Sequence, residues 1–322
     1  MFGPETIFSP DSQLERLYQG CAFAEGPAAD AEGNVYFSDC PNNRILVYRP
    51  ATGQTSVWQE PSLRANGMNF DAQGRLVVCC DGKDGGARAV RRYEPDGTIT
   101  TLASHYQGKK LNAPNDLCFD NAGRIYFTDP RYGYKDDLEQ ACMAVYRIEL
   151  DGSLTRVIDD AEMPNGILIT PDNRTIYLVD HNPAPGGART LLAYAGDAHG
   201  NWQRRGVIYD FGNGYGGDGM ALDVAGNIYL TAGEGEHAGI YIFAPSGAAI
   251  GFIPTGEIPG NCTFGGPDLR TLYIAASSSL YAIRLKIPGY LAYPSMNALT
   301  EEIASHWHTG LTAAEAVAEQ RR

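Results

Sequence analysis

The chain has 322 residues and a formal net charge of −13 at pH 7. Binding along a phosphate backbone needs a basic face, so this acidity argues against a nucleic-acid partner. Hydrophobic residues make up 43% of the chain and charged residues 20%, which excludes wholesale disorder and allows a sizeable core. The 38 glycines, 19 prolines and 19 tyrosines favour an all-β chain with many turns.

The first residues, "MFGPETIFSPDSQLERLYQG", lack the basic and apolar regions of a signal peptide. No apolar run approaches the ~20 residues that a membrane helix needs, so no membrane partner is expected. The seven cysteines are odd in number, form no C-x-x-C pair and include the adjacent Cys79 and Cys80. This pattern does not suit a disulfide framework and predicts a reducing, cytoplasmic location.

Six related segments follow along the chain. Each begins with a polar residue, continues with a short apolar strand and a turn, and ends in a second, stronger strand. They start at positions 25, 66, 115, 165, 218 and 261: "EGPAADAEGNVYFSD", "NGMNFDAQGRLVVCC", "NDLCFDNAGRIYFTD", "NGILITPDNRTIYLVD", "DGMALDVAGNIYLTA" and "NCTFGGPDLRTLYIAA". The recurring Asp-x-x-Gly turn predicts a hairpin, because Asp caps it and Gly supplies a positive φ.

The segments recur at intervals of 41 to 53 residues, and each is followed by further β runs such as "RILVYRP". Four-stranded units at this spacing predict a six-bladed β-propeller with four antiparallel strands per blade, as one domain over residues 1–322. The sixth copy shows only three strands, so we expect the N-terminal "LERLYQG" to complete its blade and close the ring. The tail, 286–322, has helical spacing, and we expect it to pack on one face or to mediate homo-oligomer assembly.

The first residue of every copy is Glu, Asp or Asn. Each opens the innermost strand of its blade, and the innermost strands of a propeller run alongside the central channel. We therefore expect a ring of oxygen-bearing side chains: Glu25, Asn66, Asn115, Asn165, Asp218 and Asn261. Carboxylate and amide oxygens are ligands of hard cations, so the ring predicts a site for Ca²⁺, Mg²⁺ or Mn²⁺. The ring contains neither Cys nor His, so a Cys-rich zinc site is not indicated.

Structural interpretations compete with these assignments. Asn and Asp favour strand starts and turns for backbone reasons, so a ring residue taken singly could be a cap. Asp39, Asp129 and Asp180 end the second strand of their blades, where capping of a loop is the stronger interpretation. His181 follows the second strand of blade four, and it either shuttles protons at the channel mouth or is solvated in a loop.

These segments resemble the gluconolactonase and senescence-marker-protein family of six-bladed propellers, which is related more distantly to diisopropyl fluorophosphatase and the paraoxonases. The resemblance spans residues 20 to 285 and is carried by segments such as "FAEGPAADAEGNVYFSD", "LNAPNDLCFDNAGRIYFTDPRYG", "MPNGILITPDNRTIYLVD" and "GGDGMALDVAGNIYLT". It implies a metal-dependent hydrolase that opens a lactone ring, with a sugar lactone as the expected small-molecule substrate.

The resemblance also implies roles for residues of the ring and its surroundings. One divalent cation, Ca²⁺ with Mg²⁺, Mn²⁺ or Zn²⁺ as alternatives, would be held by four ligands: Glu25, Asn115, Asn165 and Asp218. The cation would act as a Lewis acid on the lactone carbonyl, Asp218 would take a proton from the attacking water, and Asn115 would help to orient the substrate. Five further residues would contact the substrate: Asn66, Asn112, Asp116, Tyr132 and His181.

One stretch departs from the family pattern. The senescence-marker branch has an Arg just before the Asn of blade three, where this chain has "KKLNAPND", so Lys109, Lys110 or Asn112 would have to substitute for it. Two other functions also remain open. The same site could serve a phosphotriesterase or a lactonase for non-sugar substrates, or the chain could be a non-catalytic propeller that binds calcium for structure.

Overall fold

The computed structural model describes residues 5–82, 85–133, 135–197 and 199–293. Six antiparallel sheets, each with four blade strands, surround a central channel, which confirms the predicted six-bladed β-propeller. The described residues also contain one short 3₁₀ helix, Gly235–His237. None of the helical segments described is long and apolar enough to cross a membrane.

Strand β1 (Glu15–Gln19) precedes the first blade. Blades one to three then follow, each with its strands in order from the channel outwards. Their strands, with a small hairpin (β10 and β11) between blades two and three, are β2 (Ala24–Ala29), β3 (Val35–Asp39), β4 (Arg44–Arg49), β5 (Gln54–Gln59), β6 (Ala65–Phe70), β7 (Leu76–Cys80), β8 (Ala89–Tyr93), β9 (Ile99–Ala103), β10 (His105–Tyr106), β11 (Lys109–Lys110), β12 (Leu117–Phe119), β13 (Ile125–Asp129), β14 (Ala144–Ile148) and β15 (Leu154–Ile158).

Blades four and five have the same order, and blade six has three strands from the end of the chain. These strands, with a final short strand β27, are β16 (Pro164–Ile169), β17 (Thr175–His181), β18 (Arg189–Gly196), β19 (Trp202–Asp210), β20 (Gly217–Asp223), β21 (Ile228–Ala232), β22 (Gly239–Phe243), β23 (Ala249–Pro254), β24 (Pro259–Gly265), β25 (Thr271–Ala276), β26 (Ser279–Arg284) and β27 (Gly289–Tyr290).

The N-terminal strand closes the ring as predicted. Strand β1 pairs antiparallel with β26, with Glu15 opposite Ala282 and Gln19 opposite Ser279, and so becomes the outermost strand of blade six. The first and last parts of the chain therefore share one sheet. This arrangement gives the ring a hydrogen-bonded closure in place of a gap between two open ends.

The hairpins inside the blades follow the predicted turn chemistry. In blade one, Asp30 Oδ1 accepts a hydrogen bond from Asn34 N over 2.8 Å, and Gly33 has a φ of +84°. In blade two, Asp71 and Gly74 occupy the same positions, and Gly74 has a φ of +73°. The Asp-x-x-Gly segments therefore fix the register between the first two strands of a blade.

The apolar core is divided into six clusters of buried side chains, each shared by two neighbouring blades. Between blades six and one, for example, Phe37 and Leu46 pack with Tyr273 and Leu280. The hydrophobic driving force therefore holds the blades face to face around the axis. The axis itself is a channel, and the innermost strand of each blade lines it.

The chain ends, as far as it is described, across one end of this channel. Strand β27 pairs with β20 at Leu222 and Asp223. Tyr290 and the two residues after it line the cavity at this end of the channel. The start of β20, where Asp218 lies, is at the opposite end. The predicted helical part of the tail lies outside the described residues.

Candidate active site

Irregular strand pairing places the ring residues at the open end of the channel. In five blades the register between the two innermost strands shifts at the ring position, for example between Glu25 and Ala28 and between Gly217 and Met220. A bulge of this kind bends the strand and re-aims a side chain, and bulges are common next to active sites. The bulges therefore change the direction of the ring side chains at the point where regular pairing of the two innermost strands begins.

Glycines beside the ring residues allow the innermost strands to meet. A Cβ added to Gly26 would lie 2.1 Å from the carbonyl oxygen of Asn66, the next ring residue, and one added to Gly166 would lie 2.1 Å from that of Asp218. No side chain fits at such distances. The Glu-Gly, Asn-Gly and Asp-Gly pairs in the repeats are the sequence signal for this close approach, and the sequence analysis did not use it.

The ring opens into a cleft of about 310 Å³, which is the size of a small-ligand site. Five of the six ring positions line it: Glu25, Asn66, Asn115, Asn165 and Asp218. Two residues assigned to the substrate, Tyr132 and His181, also line it. The four residues assigned to a cation are therefore brought together in one cavity, although they are far apart in sequence.

Three other candidates lie elsewhere. Asn261 and Asp116 line a second cavity of about 70 Å³ deeper in the channel, where Asp116 Oδ1 accepts a hydrogen bond from Leu117 N over 2.9 Å. Asn112 is buried, and its amide nitrogen donates to the carbonyl oxygens of Asp129 and Cys142. Asn112 is not among the described residues that line the cleft.

Burial raises the pKa values of three carboxyl groups in the channel. Burial, reinforced by the charge of Asp116, raises the pKa of Glu25 to about 8. Burial, followed by the charges of Glu25 and Asp116, holds the pKa of Asp218 well above its usual range. Burial also raises the pKa of Asp116 to about 6. Without a counter-charge these side chains disfavour the ionised state, which is the behaviour expected of carboxylates arranged around a cation.

The donor set fits a hard cation. Asn165 Oδ1 is buried and has no hydrogen-bond partner in the described part of the chain. A buried amide oxygen without a hydrogen-bond partner, in the cleft that Glu25 and Asp218 also line, is suited to bind a cation. No group of three or more His, Cys, Asp or Glu side chains suited to a metal occurs among the described residues, so a site here would need amide oxygens as well as Glu25 and Asp218.

Tyr132 and His181 are joined to this donor set by hydrogen bonds. Asn165 Nδ2 donates to the Tyr132 hydroxyl over 3.0 Å, and that hydroxyl donates to the carbonyl oxygen of His181 over 3.2 Å. His181 Nδ1 lies 2.9 Å from the carbonyl oxygen of Gly217 and must carry the proton, because a carbonyl only accepts. Burial lowers the pKa of His181, so the imidazole is neutral near pH 7 and its Nε2 is an acceptor. Whether His181 shuttles protons stays a prediction.

The strand-ending aspartates are caps, as the structural interpretation predicted. Asp39 Oδ1 accepts a hydrogen bond from Ala22 N, and the two carboxylate oxygens of Asp129 accept from the backbone of Asn112 and Ala113. Asp180 does the same for the loop before blade four. Each carboxylate therefore fixes the loop that leads into the ring position of its own blade.

Comparison with known proteins decides the family. The family described as the SMP-30/Gluconolactonase/LRE-like region matches residues 23–278, which is most of the chain. The chain belongs to this family. The resemblance found in the repeated segments is thereby confirmed.

Individual members of the SMP-30/gluconolactonase family are similar over most of their length. The gluconolactonase of Zymomonas mobilis is 31% identical, covering 88% of this chain and 85% of that protein. The pentonolactonase of Haloferax volcanii is 28% identical, covering 80% of this chain and 82% of that protein. The solved structure of a gluconolactonase from Xanthomonas campestris has a TM-score of 0.76 at 32% identity, covering 87% of this chain and 91% of that one.

This member of the SMP-30/gluconolactonase family also has cleft residues that the sequence analysis missed: Phe23, Cys40, Pro41, Arg64, Asp81, Pro183 and Tyr215. A signal for some of them exists in the repeats. Cys40 and Asp81 follow directly after the second strand of their blades, and His181 takes the equivalent position as the last residue of β17. This position therefore faces the cleft in three blades. Arg64 stands two residues before a ring position, where no other copy has a charged residue.

Proposed function

We propose that the chain is a divalent-cation-dependent lactonase that hydrolyses sugar lactones. The observation that carries this proposal is the convergence of Glu25, Asp218 and the orphaned Oδ1 of Asn165 in one cleft. Family membership supports it, since relatives covering most of the chain are a gluconolactonase and a pentonolactonase. Both of those proteins are named for sugar-derived lactones.

We assign the cation to Glu25, Asn115, Asn165 and Asp218, with Ca²⁺ as the first candidate. All four offer oxygen ligands, which suit Ca²⁺, Mg²⁺ and Mn²⁺, whereas structural zinc sites rely on Cys and His. When bound, the cation supplies Lewis-acid polarisation of the lactone carbonyl and offsets the charge that develops on its oxygen.

The chain's own residues supply the remaining chemistry. The Asp218 carboxylate accepts a proton from the water that attacks the carbonyl carbon, the ring C–O bond breaks, and the released alkoxide takes up a proton to give the hydroxy acid. General base catalysis of this kind contributes about 10²- to 10⁴-fold. Asn115 and Asn165 hold the carbonyl in place, and the aromatic rings of Tyr132 and Tyr215 on the wall limit access of bulk water.

The test is a cation titration of metal-free protein with D-glucono-1,5-lactone as substrate, followed by acid release. We expect turnover to require Ca²⁺, Mg²⁺, Mn²⁺ or Zn²⁺ and to be lost in Glu25→Ala and Asp218→Ala together with cation retention. A matched control is Asp268→Ala, since Asp268 pairs with Arg284 from the turn between β24 and β25, at the end of blade six opposite the ring. Lactone hydrolysis in the absence of any cation would contradict the proposal, as would an Asp218→Ala variant that still binds the cation and hydrolyses the lactone.

A further inference from the structure

An ion pair stands on one wall of the cleft. Arg64 Nε lies 3.0 Å from Asp81 Oδ1 and 3.2 Å from Oδ2, and Arg64 Nη2 lies 3.0 Å from Oδ2. Both side chains line the same cavity as Glu25 and Asp218. They are 12% and 19% exposed, so the pair is largely shielded from bulk solvent.

The backbone fixes the position of this pair. Arg64 N donates to Asn43 Oδ1 over 2.9 Å, and Asp81 N donates to the carbonyl oxygen of Arg64 over 3.0 Å. Leu63 and Arg64 have φ angles of +57° and +64°, a left-handed conformation that non-glycine residues seldom adopt. Such backbone outliers persist where the surroundings over-determine them, and they concentrate at ligand sites. These contacts fix the backbone of Arg64 at the wall, and Asp81 holds its guanidinium there.

The charges of the cleft indicate what it accepts. Among the described residues that line it, the charged side chains are Glu25, Asp218, Asp81 and Arg64. Arg64 and Asp81 cancel, and a divalent cation would balance the other two. A balance of charge among the described lining residues favours an uncharged ligand, because a charged substituent would lose its hydration and find no unbalanced counter-ion among them.

We propose that Arg64 and Asp81 form a hydroxyl-binding subsite that selects uncharged, polyhydroxylated lactones over lactones without hydroxyl groups. This inference rests on the proposed lactonase function. A guanidinium only donates hydrogen bonds and an ionised carboxylate only accepts them, so the pair matches two neighbouring hydroxyl groups. Hydrogen bonds to charged groups are stronger than those between neutral groups. A site built to bond a hydroxyl strongly rejects the analogue that lacks it.

The kinetic test compares two substrates in each variant. D-glucono-1,5-lactone carries ring hydroxyls, and δ-valerolactone has the same ring without them. In Asp81→Asn and in the double variant Arg64→Met/Asp81→Asn, we expect kcat/KM for gluconolactone to fall about 10- to 100-fold, while kcat/KM for δ-valerolactone changes less than threefold. Equal losses on both lactones, or no loss on either, would overturn the subsite.

A matched control removes an ion pair that is remote from the cleft. Arg75 Nε bonds Asp71 Oδ2 over 2.7 Å in the hairpin turn at the other end of blade two. Arg75→Met should leave the ratio of the two kcat/KM values unchanged. If Arg75→Met lowers the ratio as much as the cleft variants do, the effect reflects blade stability and the subsite is rejected.

A binding measurement separates failure of the subsite from failure of the lactonase proposal. If the wild-type protein hydrolyses no lactone with any cation, calorimetry with 1,5-anhydro-D-glucitol decides, since this polyol has the ring and hydroxyls but no carbonyl. We then expect wild-type binding that weakens about tenfold or more in Asp81→Asn. No binding to the wild type, or equal binding to both proteins, would overturn the subsite.

Discussion

The amide nitrogen of Asn165 donates a hydrogen bond to the Tyr132 hydroxyl over 3.0 Å, and this contact fixes which end of the amide faces the proposed cation site. The Tyr132 hydroxyl has its own proton directed at the carbonyl oxygen of His181, which can only accept. The hydroxyl oxygen must therefore accept from Asn165, so the Asn165 carbonyl oxygen turns away from Tyr132. A residue of blade three thus orients the amide of Asn165, a proposed ligand in blade four, as outer-shell partners commonly do at metal sites.

We predict that Tyr132→Phe weakens cation binding about tenfold, because the Asn165 amide loses the contact that fixes its orientation. Calcium affinity, measured by calorimetry on metal-free protein, checks this directly and does not depend on turnover. The matched control is Tyr146→Phe, since the Tyr146 hydroxyl is buried without a hydrogen-bond partner among the described residues. Equal calcium affinities for Tyr132→Phe and the wild type would contradict the orienting role.

The raised pKa of Glu25 predicts a pH dependence of stability in metal-free protein. Its folded pKa is about 8 and its ordinary value is 4.5, so between these values the folded state holds a proton that the unfolded state has released. The stabilisation is fully present below pH 4.5 and is lost as the pH rises through 8, with a slope of at most about 1.4 kcal/mol per pH unit.

Thermal unfolding in a chelator checks this expectation. Between pH 5 and 8 the Tm of the wild type should fall more steeply than that of Glu25→Gln, whose amide does not titrate. Cation affinity should change in the opposite direction and rise with pH, because the ligands must be deprotonated to bind. Parallel Tm curves for the two proteins across this range would show that Glu25 does not carry the extra proton.

Asp116, which lines the cavity deeper in the channel, allows a second electrostatic test. Burial is the main cause of the raised pKa values of Glu25 and Asp218, and the charge of Asp116 raises both further. We predict that Asp116→Asn moves the pH midpoint of cation binding down by about one pH unit, and that it weakens binding above this midpoint because a nearby negative charge is lost. Calcium titrations at several pH values measure both effects. Asp151→Asn, in an exposed turn of the same blade, should change neither.

The repeats made the fold and the ring predictable, because equivalent positions in a propeller must meet around one axis. Glu25 and Asp218 could thus be paired from their positions in the repeats alone. The loops were less predictable, since they do not repeat: the contact of Tyr132 with Asn165 joins a blade-three loop to blade four. Asp180 was correctly expected as a cap. In blade two, however, Asp81 follows the strand-ending residue and lines the cleft, and the sequence analysis did not predict this.

The close approach of Gly166 to Asp218 gives a packing prediction. A Cβ at position 166 would lie 2.1 Å from the carbonyl oxygen of Asp218, so the two innermost strands would have to separate. We expect Gly166→Ala to lower the free energy of unfolding by about 1–3 kcal/mol and to weaken calcium binding, because it displaces a strand that carries a proposed ligand. Urea unfolding and calorimetry measure the two effects. Gly214→Ala is the control, since its added Cβ would come no closer than 3.2 Å to another residue. If both variants unfold like the wild type, the ring strands can accommodate a Cβ at position 166. Glycine would then not be required between ring residues.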